Sequence, residues 1–221
     1  MKVLGFDTST MTTSVAIIED DNILSLYSLQ GSVYHSESLS DMINSILSKF
    51  DFNLSAIDLI AVGRGPGSFT GVRIGLTFAK VMAQVLGKDI VAVSSLKAQA
   101  VREDGLVAPI IDARRGLIYT TLMEDGKVLI DDSVIKLDEL KKIVGNREIT
   151  LQGVDAIKFI NEFKNAKLGK DLQMNAIYIA KLGLKEYKDR GPDDLYKLAP
   201  NYLKLSQAEK NYAEKNKTCK N

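Results

Sequence analysis

The sequence predicts an α/β protein in which one arrangement, a mixed sheet with helices on its faces, occurs twice. Near the N-terminus, three short strand-like runs form a meander and are followed by alternating helical and strand-like segments, an order typical of mixed sheets flanked by helices. The second half of the chain opens with the same order: a strand ending in aspartate, a polar turn, a second strand and an acidic hairpin. This recurrence indicates an internal duplication.

The first half supplies the meander and three helices. Strands are predicted at 3–6, 14–18 and 23–29, where apolar runs or alternating patterns are bounded by polar turns. A helix follows, because apolar residues recur along one helical face at Leu39, Met42, Ile43, Ile46, Leu47 and Phe50. Strands at 59–62 and 90–93 then alternate with helices at 70–86 and 95–100.

The second half repeats this order before it diverges. Asp7 to Asp20 spans thirteen residues, as does Asp112 to Asp125. Strands are predicted at 107–111 and 117–122, followed by a third. A short helix near 138–144, a strand at 150–151 and helices near 155–164 and 174–188 come next. We predict two domains, 1–103 and 104–221, packed tightly because no linker composition separates them.

Composition narrows the function classes. The 221 residues carry a net charge of +1 and are 45% apolar, enough for a sizeable core but without a global field for nucleic acid. Cys219 is the only cysteine, so no intrachain disulfide is expected. The N-terminus lacks a signal-peptide pattern and no uncharged apolar stretch reaches membrane-spanning length, so we expect a cytoplasmic protein without a membrane contact. The lysine-rich tail is interpreted as a solvated end, or alternatively as an RNA contact.

The residues exclude several kinds of catalytic site. His35 is the only histidine, which rules out sites built on paired histidines. Ser68 lies in Gly-Ser-Phe-Thr-Gly, which is not a nucleophile elbow, so a Ser/His hydrolase is not expected. The stretch GRGPGSFTGVRIG at 63–75 has neither the lysine of a P-loop nor the glycine spacing of a dinucleotide fingerprint.

A ridge of small residues lies on the helix that follows this loop. Gly71, Gly75, Ala79 and Ala83 recur every four residues, flanked by large apolar side chains. One interpretation is a core helix covered by its own domain. The favoured interpretation is that the ridge and a flank receive a helix of another chain, because small residues allow helix axes to approach closely.

The turn after the first strand offers a candidate phosphate or metal site. Asp7, Thr8 and Ser9 could bind an anion or metal, but aspartate often only closes a strand and caps its own turn. Its counterpart begins at Asp112 and lacks a glycine next to it. We therefore expect at most vestigial nucleotide binding at Asp7, Thr8, Ser9 and Asp112, with no working ATP cleft, no metal and no cofactor.

Several segments together resemble the bacterial TsaB family, also called YeaZ. They are MKVLGFDTST at the start, HSESL at 35–39, AVGRGPGSFTGVRIGL at 61–76, VSSL at 93–96, DARRGLIY at 112–119 and PNYL at 200–203. The glycine-rich block is highly specific to that family, whereas residues 126–195 match only in outline.

The resemblance implies a duplicated actin-like fold of the ribonuclease-H-like (ASKHA) kind and a role in tRNA processing, the modification of tRNA to N6-threonylcarbamoyladenosine. In that family the chemistry belongs to the paralogue TsaD, whose metal-binding His-x-x-x-His motif here has Leu39 in place of the second histidine. The protein is then a non-catalytic scaffold, not an enzyme. It would form a heterodimer with TsaD, meet the ATPase TsaE and tRNA in a larger complex, and form a homodimer when alone.

The resemblance also implies that helices 36–50 and 70–86 form a bundle with TsaD by protein–protein interaction. The interface residues expected from it are Leu39, Met42, Ile43, Ile46, Gly71, Val72, Gly75, Ala79 and Met82. Two alternatives stay open at this stage: a degenerate nucleotide-binding ATPase of the sugar-kinase and actin kind that uses Asp7 and Asp112, and a peptidase, which the missing metal ligands disfavour.

Overall fold

The structure is a computed structural model that describes residues 1–31, 35–49 and 53–203, including every side chain in these ranges except those of 35–38. The predicted continuation of the first helix to Phe50, the lysine-rich tail from 204 and Cys219 lie outside the described residues.

Two five-stranded sheets form the framework, and their strand orders are equivalent. The first runs β3-β2-β1-β4-β5, with β1 antiparallel to β2 and parallel to β4. The second runs β8-β7-β6-β9-β10, with β6 antiparallel to β7 and parallel to β9. The strands are β1 (Lys2–Asp7), β2 (Thr12–Glu19), β3 (Asn22–Gln30), β4 (Leu59–Gly63), β5 (Asp89–Val93), β6 (Leu106–Asp112), β7 (Leu117–Glu124), β8 (Lys127–Lys136), β9 (Ile149–Gln152) and β10 (Ala166–Leu168).

The equivalence confirms the predicted duplication. Asp7 ends β1 and Asp112 ends β6, and the hairpins that follow turn at Asp20 and Asp125. Both turn residues adopt the left-handed region, with φ 51° and 47°, which aspartate tolerates better than most residues. The thirteen-residue spacing in the sequence therefore reflects two copies of the same strand–turn–strand–hairpin unit.

Within the described residues, five α-helices cover the sheets: α1 (His35–Lys49), α2 (Phe69–Leu86), α3 (Ser95–Ala100), α4 (Leu137–Val144) and α5 (Ala176–Arg190). The first two share one face of the first sheet and contribute to one apolar core with β1, β2 and β4. The last packs on the opposite face of the same sheet, where Gly5 lies against Ala180 and Gly183 against Ala61. The chain from residue 176 thus returns to the first sheet after it has formed the second. The predicted boundary between two domains at residue 103 stays a prediction.

In the second half, the structure differs from the prediction in two places. Instead of one helix near 155–164, the chain forms two 3-10 turns, Val154–Lys158 and Ile160–Glu162. Phe159, with φ −116° and ψ −3°, lies between them. The three-residue strand β10 was not predicted, since so short a run carries no periodicity.

The helix α2 carries clear end signals. The Ser68 hydroxyl accepts a hydrogen bond from the Gly71 amide (3.2 Å), and Gly87 ends the helix with φ 61°. By length and composition alone α2 could cross a membrane. Its contacts with β4 and β5 are those of a helix that covers a sheet.

Candidate functional site

Four glycines of the GRGPGSFTGVRIG stretch lie against the turn that joins β1 to β2. A Cβ atom added at Gly63 would overlap the Asp7 carboxylate, and one at Gly67 would overlap the Ser9 carbonyl. At Gly71 and Gly75 the overlaps are with the Thr8 carbonyl and hydroxyl oxygens. The backbone of this loop and of the first turns of α2 therefore needs residues without side chains.

Hydrogen bonds secure this close approach. The Thr8 hydroxyl donates to the Gly71 carbonyl (2.7 Å), and the Ser68 amide donates to the Ser9 carbonyl (2.7 Å). Because Thr8, Ser9 and Gly71 are buried, each bond also satisfies a polar atom that would otherwise be costly to remove from water. We call the contact between residues 63–75 and residues 7–9 the glycine-docked contact.

Asp7 serves this contact rather than a ligand. Its carboxylate is fully buried and accepts hydrogen bonds from the Ser9 amide and hydroxyl and from the Ser95 hydroxyl (2.6 Å). The Ser95 hydroxyl in turn accepts from the Gly65 amide (3.1 Å). Ser95 was predicted as a helix start and as part of the VSSL segment, and no signal in the sequence connected it to Asp7.

The structure does not support the favoured interpretation, in which the ridge of small residues on α2 receives a helix of another chain. The small residues face inward and are buried, because the β1–β2 turn already fills the space that a foreign backbone would need. The apolar face of α1 is likewise part of the core. Of the predicted interface residues, the structure buries Leu39, Met42, Ile43, Ile46, Gly71, Val72, Gly75 and Ala79, and leaves only Met82 partly exposed.

A second apolar face of α2 points the other way. It consists of Ile74, Phe78, Val81, Met82 and Val85, each of which lies three, four or seven residues from at least two of the others, as on one side of a helix. Val81 is 55% and Val85 77% exposed, while the other three are half-buried. We call these five residues the outer stripe of α2. The neighbouring outer face of α1 is polar, with Asp41, Asn44, Ser45, Ser48 and Lys49 exposed.

The C-terminal segment covers a different flank of α2. The Arg73 Nε donates to the Tyr202 hydroxyl (2.6 Å), and the Tyr202 ring stacks on Phe69 with centroids 4.9 Å apart. Further along, the Lys80 ammonium donates to the Leu198 carbonyl (3.1 Å). These contacts fix the start of α2. The sequence showed PNYL at 200–203 only as a family motif and gave no indication of this contact.

A cleft of about 660 Å³ lies between residues of the two sheets. Ser9 and Met11 line it from the first unit and Asp112, Arg114 and Asp155 from the second. Asp112 accepts hydrogen bonds from the Arg114 amide and the Lys158 ammonium, and these, the amide first, lower the pKa of its carboxyl. Asp112 is therefore a carboxylate at neutral pH.

The four residues predicted to be vestigial nucleotide-binding residues divide into two groups. Ser9 and Asp112 line the cleft, whereas Asp7 and Thr8 do not and are committed to the glycine-docked contact. The structure thus contradicts a nucleotide-facing role for Asp7 and Thr8. Within the described part of the chain, no group of three or more His, Cys, Asp or Glu side chains could hold a metal ion.

Two equivalent sheets with a cleft between them define the actin-like class of duplicated α/β proteins. Consistent with this, the activator of the 2-hydroxyisocaproyl-CoA dehydratase from Clostridium difficile, solved with bound ADPNP, shares the fold at 11% identity, with a TM-score of 0.55 over 86% of this chain and 96% of that one.

The family follows from closer relatives. TsaB of Bacillus subtilis (strain 168), named a tRNA threonylcarbamoyladenosine biosynthesis protein, is 34% identical over 98% of this chain and 100% of its own length. A Pseudomonas aeruginosa protein described as similar to peptidase YEAZ superposes with a TM-score of 0.78 at 26% identity, over 92% of this chain and 99% of that one. Residues 30–212 match the family model described as TsaD, tRNA N6-adenosine threonylcarbamoyltransferase. The chain belongs to the TsaB (YeaZ) family.

The glycine-docked contact can be tested by adding one methyl group. Gly71→Ala should lower the free energy of unfolding by about 1–3 kcal/mol, although alanine normally favours a helix, because its Cβ would overlap the Thr8 carbonyl. Urea unfolding followed by circular dichroism measures the change.

Gly31→Ala is the matched control, since nothing lies within 4 Å of a Cβ at that glycine. It should change the unfolding free energy by no more than about 0.5 kcal/mol. Equal stability of Gly71→Ala and the wild type would show that the contact is looser than described.

Proposed function

We propose that the chain is a non-catalytic subunit of the cytoplasmic machinery that makes N6-threonylcarbamoyladenosine in tRNA, where it binds the catalytic subunit TsaD and supports it. Family membership sets the process, and two features of the structure support the particular role. One is the core position of Leu39, and the other, which carries the proposal, is the outer stripe of α2.

Leu39 argues against catalysis by this chain. The resemblance aligns it with the second metal-binding histidine of the catalytic paralogue. Its side chain is fully buried in the apolar core between α1 and the sheet. A position filled by an apolar side chain in the core supplies no ligand to a metal, so the chemistry belongs to the partner.

The outer stripe supplies a surface for that partner. TsaD is the occupant we propose because this chain matches the TsaD family model over most of its length, which indicates a shared fold. Two related chains can pair through equivalent helix layers about an approximate two-fold axis, as in a homodimer. The α1–α2 layer of one chain would then meet the same layer of the other, giving the helical bundle that the resemblance implies.

Burial of the stripe would make this association favourable. Val81 and Val85 each gain up to about 1.5–3 kcal/mol when moved from water into an apolar interface. Half-buried Phe78 extends from the stripe to the core, where its ring meets Phe6 edge to face at 6.1 Å. The partner surface is thus rigidly supported, which lowers the entropic cost of binding.

The rest of the proposal concerns the larger assembly. The TsaB–TsaD pair would meet the ATPase TsaE and receive tRNA, so this chain would contact tRNA only as part of the complex. Without TsaD, the outer stripe would instead support a homodimer. The subunit would need no cofactor of its own.

The interdomain cleft favours one alternative, a degenerate nucleotide-binding protein of the actin and sugar-kinase kind. The volume of the cleft and the ionised carboxylate of Asp112 are compatible with a small ligand. Against this alternative, the turn that joins β1 to β2, which was the candidate phosphate site, is committed to internal hydrogen bonds through Asp7 and Thr8.

The partner surface predicts the effect of a double substitution. Val81→Asp with Val85→Asp should weaken binding to TsaD by at least about 100-fold, because two carboxylates would be buried without partners. Isothermal titration calorimetry with purified TsaD measures the affinity.

Both residues are exposed in the free chain, so thermal unfolding of the double variant should match the wild type. Val128→Asp, on an exposed position of β8, serves as control and should bind TsaD normally. Binding of the double variant within threefold of the wild type would refute this interface.

Nucleotide titration separates the two candidate functions. With ATP and magnesium, the chain should give no saturable heat, because Asp7 and Thr8 do not face the cleft. Tight binding that is lost in Asp112→Ala, with thermal unfolding unchanged, would favour the alternative.

A further inference from the structure

The two sheets end in four edge strands, and three of them are protected against further pairing. Along β5, the Asp193 amide donates to the Ile90 carbonyl (2.8 Å) and the Asp193 carboxylate accepts from the Ala92 amide (2.7 Å). The β8 edge carries four charged residues, Lys127, Asp131, Asp132 and Lys136. The β10 edge is only three residues long. Covering, charge and shortness are the usual means by which proteins block edge-to-edge pairing.

The fourth edge, β3, has none of these protections. Its nine residues, NILSLYSLQ, include no charge and no proline. Among the described strands, only β2 pairs with it. Ile23, Leu26, Tyr27 and Leu29 are 53%, 44%, 40% and 42% exposed. A long, uncharged edge with exposed apolar side chains is a template for another strand.

Apolar side chains flank this edge on both faces of the sheet. The register with β2 places Tyr27 opposite Val15 and Leu29 opposite Thr13, on the side that α1 covers. Leu26 lies opposite Ala16, on the side of α5. A strand added to β3 would therefore extend both apolar faces as well as the hydrogen-bonded ladder.

We propose that β3 pairs antiparallel with β3 of a second copy of this chain, on a two-fold axis at Tyr27. In this register Leu26 faces Ser28 of the other copy and Leu29 faces Ser25, so at both of these steps a large side chain meets a small one. The two Tyr27 rings meet on the axis. The absence of charge removes the repulsion that like residues would suffer when a strand meets its own copy.

This surface is separate from the outer stripe of α2. The β3 edge lies beyond β2 and α1, whereas α2 covers β4 and β5. Pairing through β3 thus leaves the stripe free, so two copies joined into one ten-stranded sheet could each carry a TsaD subunit.

The oligomeric state tests the proposal without depending on TsaD. The background is the stripe variant Val81→Asp with Val85→Asp, in which association through α2 is removed. Sedimentation equilibrium over a concentration series should still show a dimer. Adding Leu26→Lys and Leu29→Lys should weaken that dimer at least tenfold, whereas Val128→Lys with Leu129→Lys on β8 should not.

Cysteine cross-linking tests the register, in the same stripe background with Cys219→Ser. Tyr27→Cys should form a disulfide-linked dimer under mild oxidation, because the two copies meet on the axis. Leu29→Cys alone should not, since it would lie about four residues, or about 13 Å, from its own copy, beyond the reach of a disulfide. A mixture of Leu29→Cys and Ser25→Cys chains should cross-link.

Three results would overturn the proposal: a stripe variant that is monomeric at every concentration, a dimer unaffected by the lysines on β3, or cross-linking at Leu29→Cys alone. The last would indicate another register or a parallel pairing. Each is independent of whether the wild-type chain binds TsaD, so the proposed function and this inference can fail separately.

Discussion

The close approach of four glycines to the turn after the first strand is the constraint on which the N-terminal half of the molecule depends. Gly63, Gly67, Gly71 and Gly75 place the backbone of a loop and a helix directly against Asp7, Thr8 and Ser9. A side chain at Gly71 or Gly75 would push α2 away from the turn, and one at Gly63 or Gly67 would displace Asp7 or Ser9. The hydrogen bonds from Thr8, Ser68 and Ser95 can form only because that separation is so small.

This arrangement determines which parts of the molecule remain available for function. The Asp7 turn is occupied by internal hydrogen bonds. The ridge side of α2 is buried, so the exposed apolar residues of this helix, Val81 and Val85 foremost, lie on its outer side.

Much of the fold could be predicted from the sequence, because the duplicated spacing from Asp7 to Asp20 and from Asp112 to Asp125 reports a repeated unit. The candidate site could not be predicted as well. A four-residue spacing of small residues shows that something approaches closely, but an internal turn and a foreign helix require the same glycines. The return of α5 to the first sheet likewise depends on tertiary packing at Gly5 and Gly183, which no local pattern reveals.

The most direct test of the scaffold role is the rate of threonylcarbamoyladenosine formation on tRNA by reconstituted TsaD and TsaE. With the wild-type chain present, the reaction should proceed. With the variant altered at Val81 and Val85 it should be lost at equal concentration and recover as the concentration of that variant is raised. Full activity without this chain, or with the variant at equal concentration, would contradict the account.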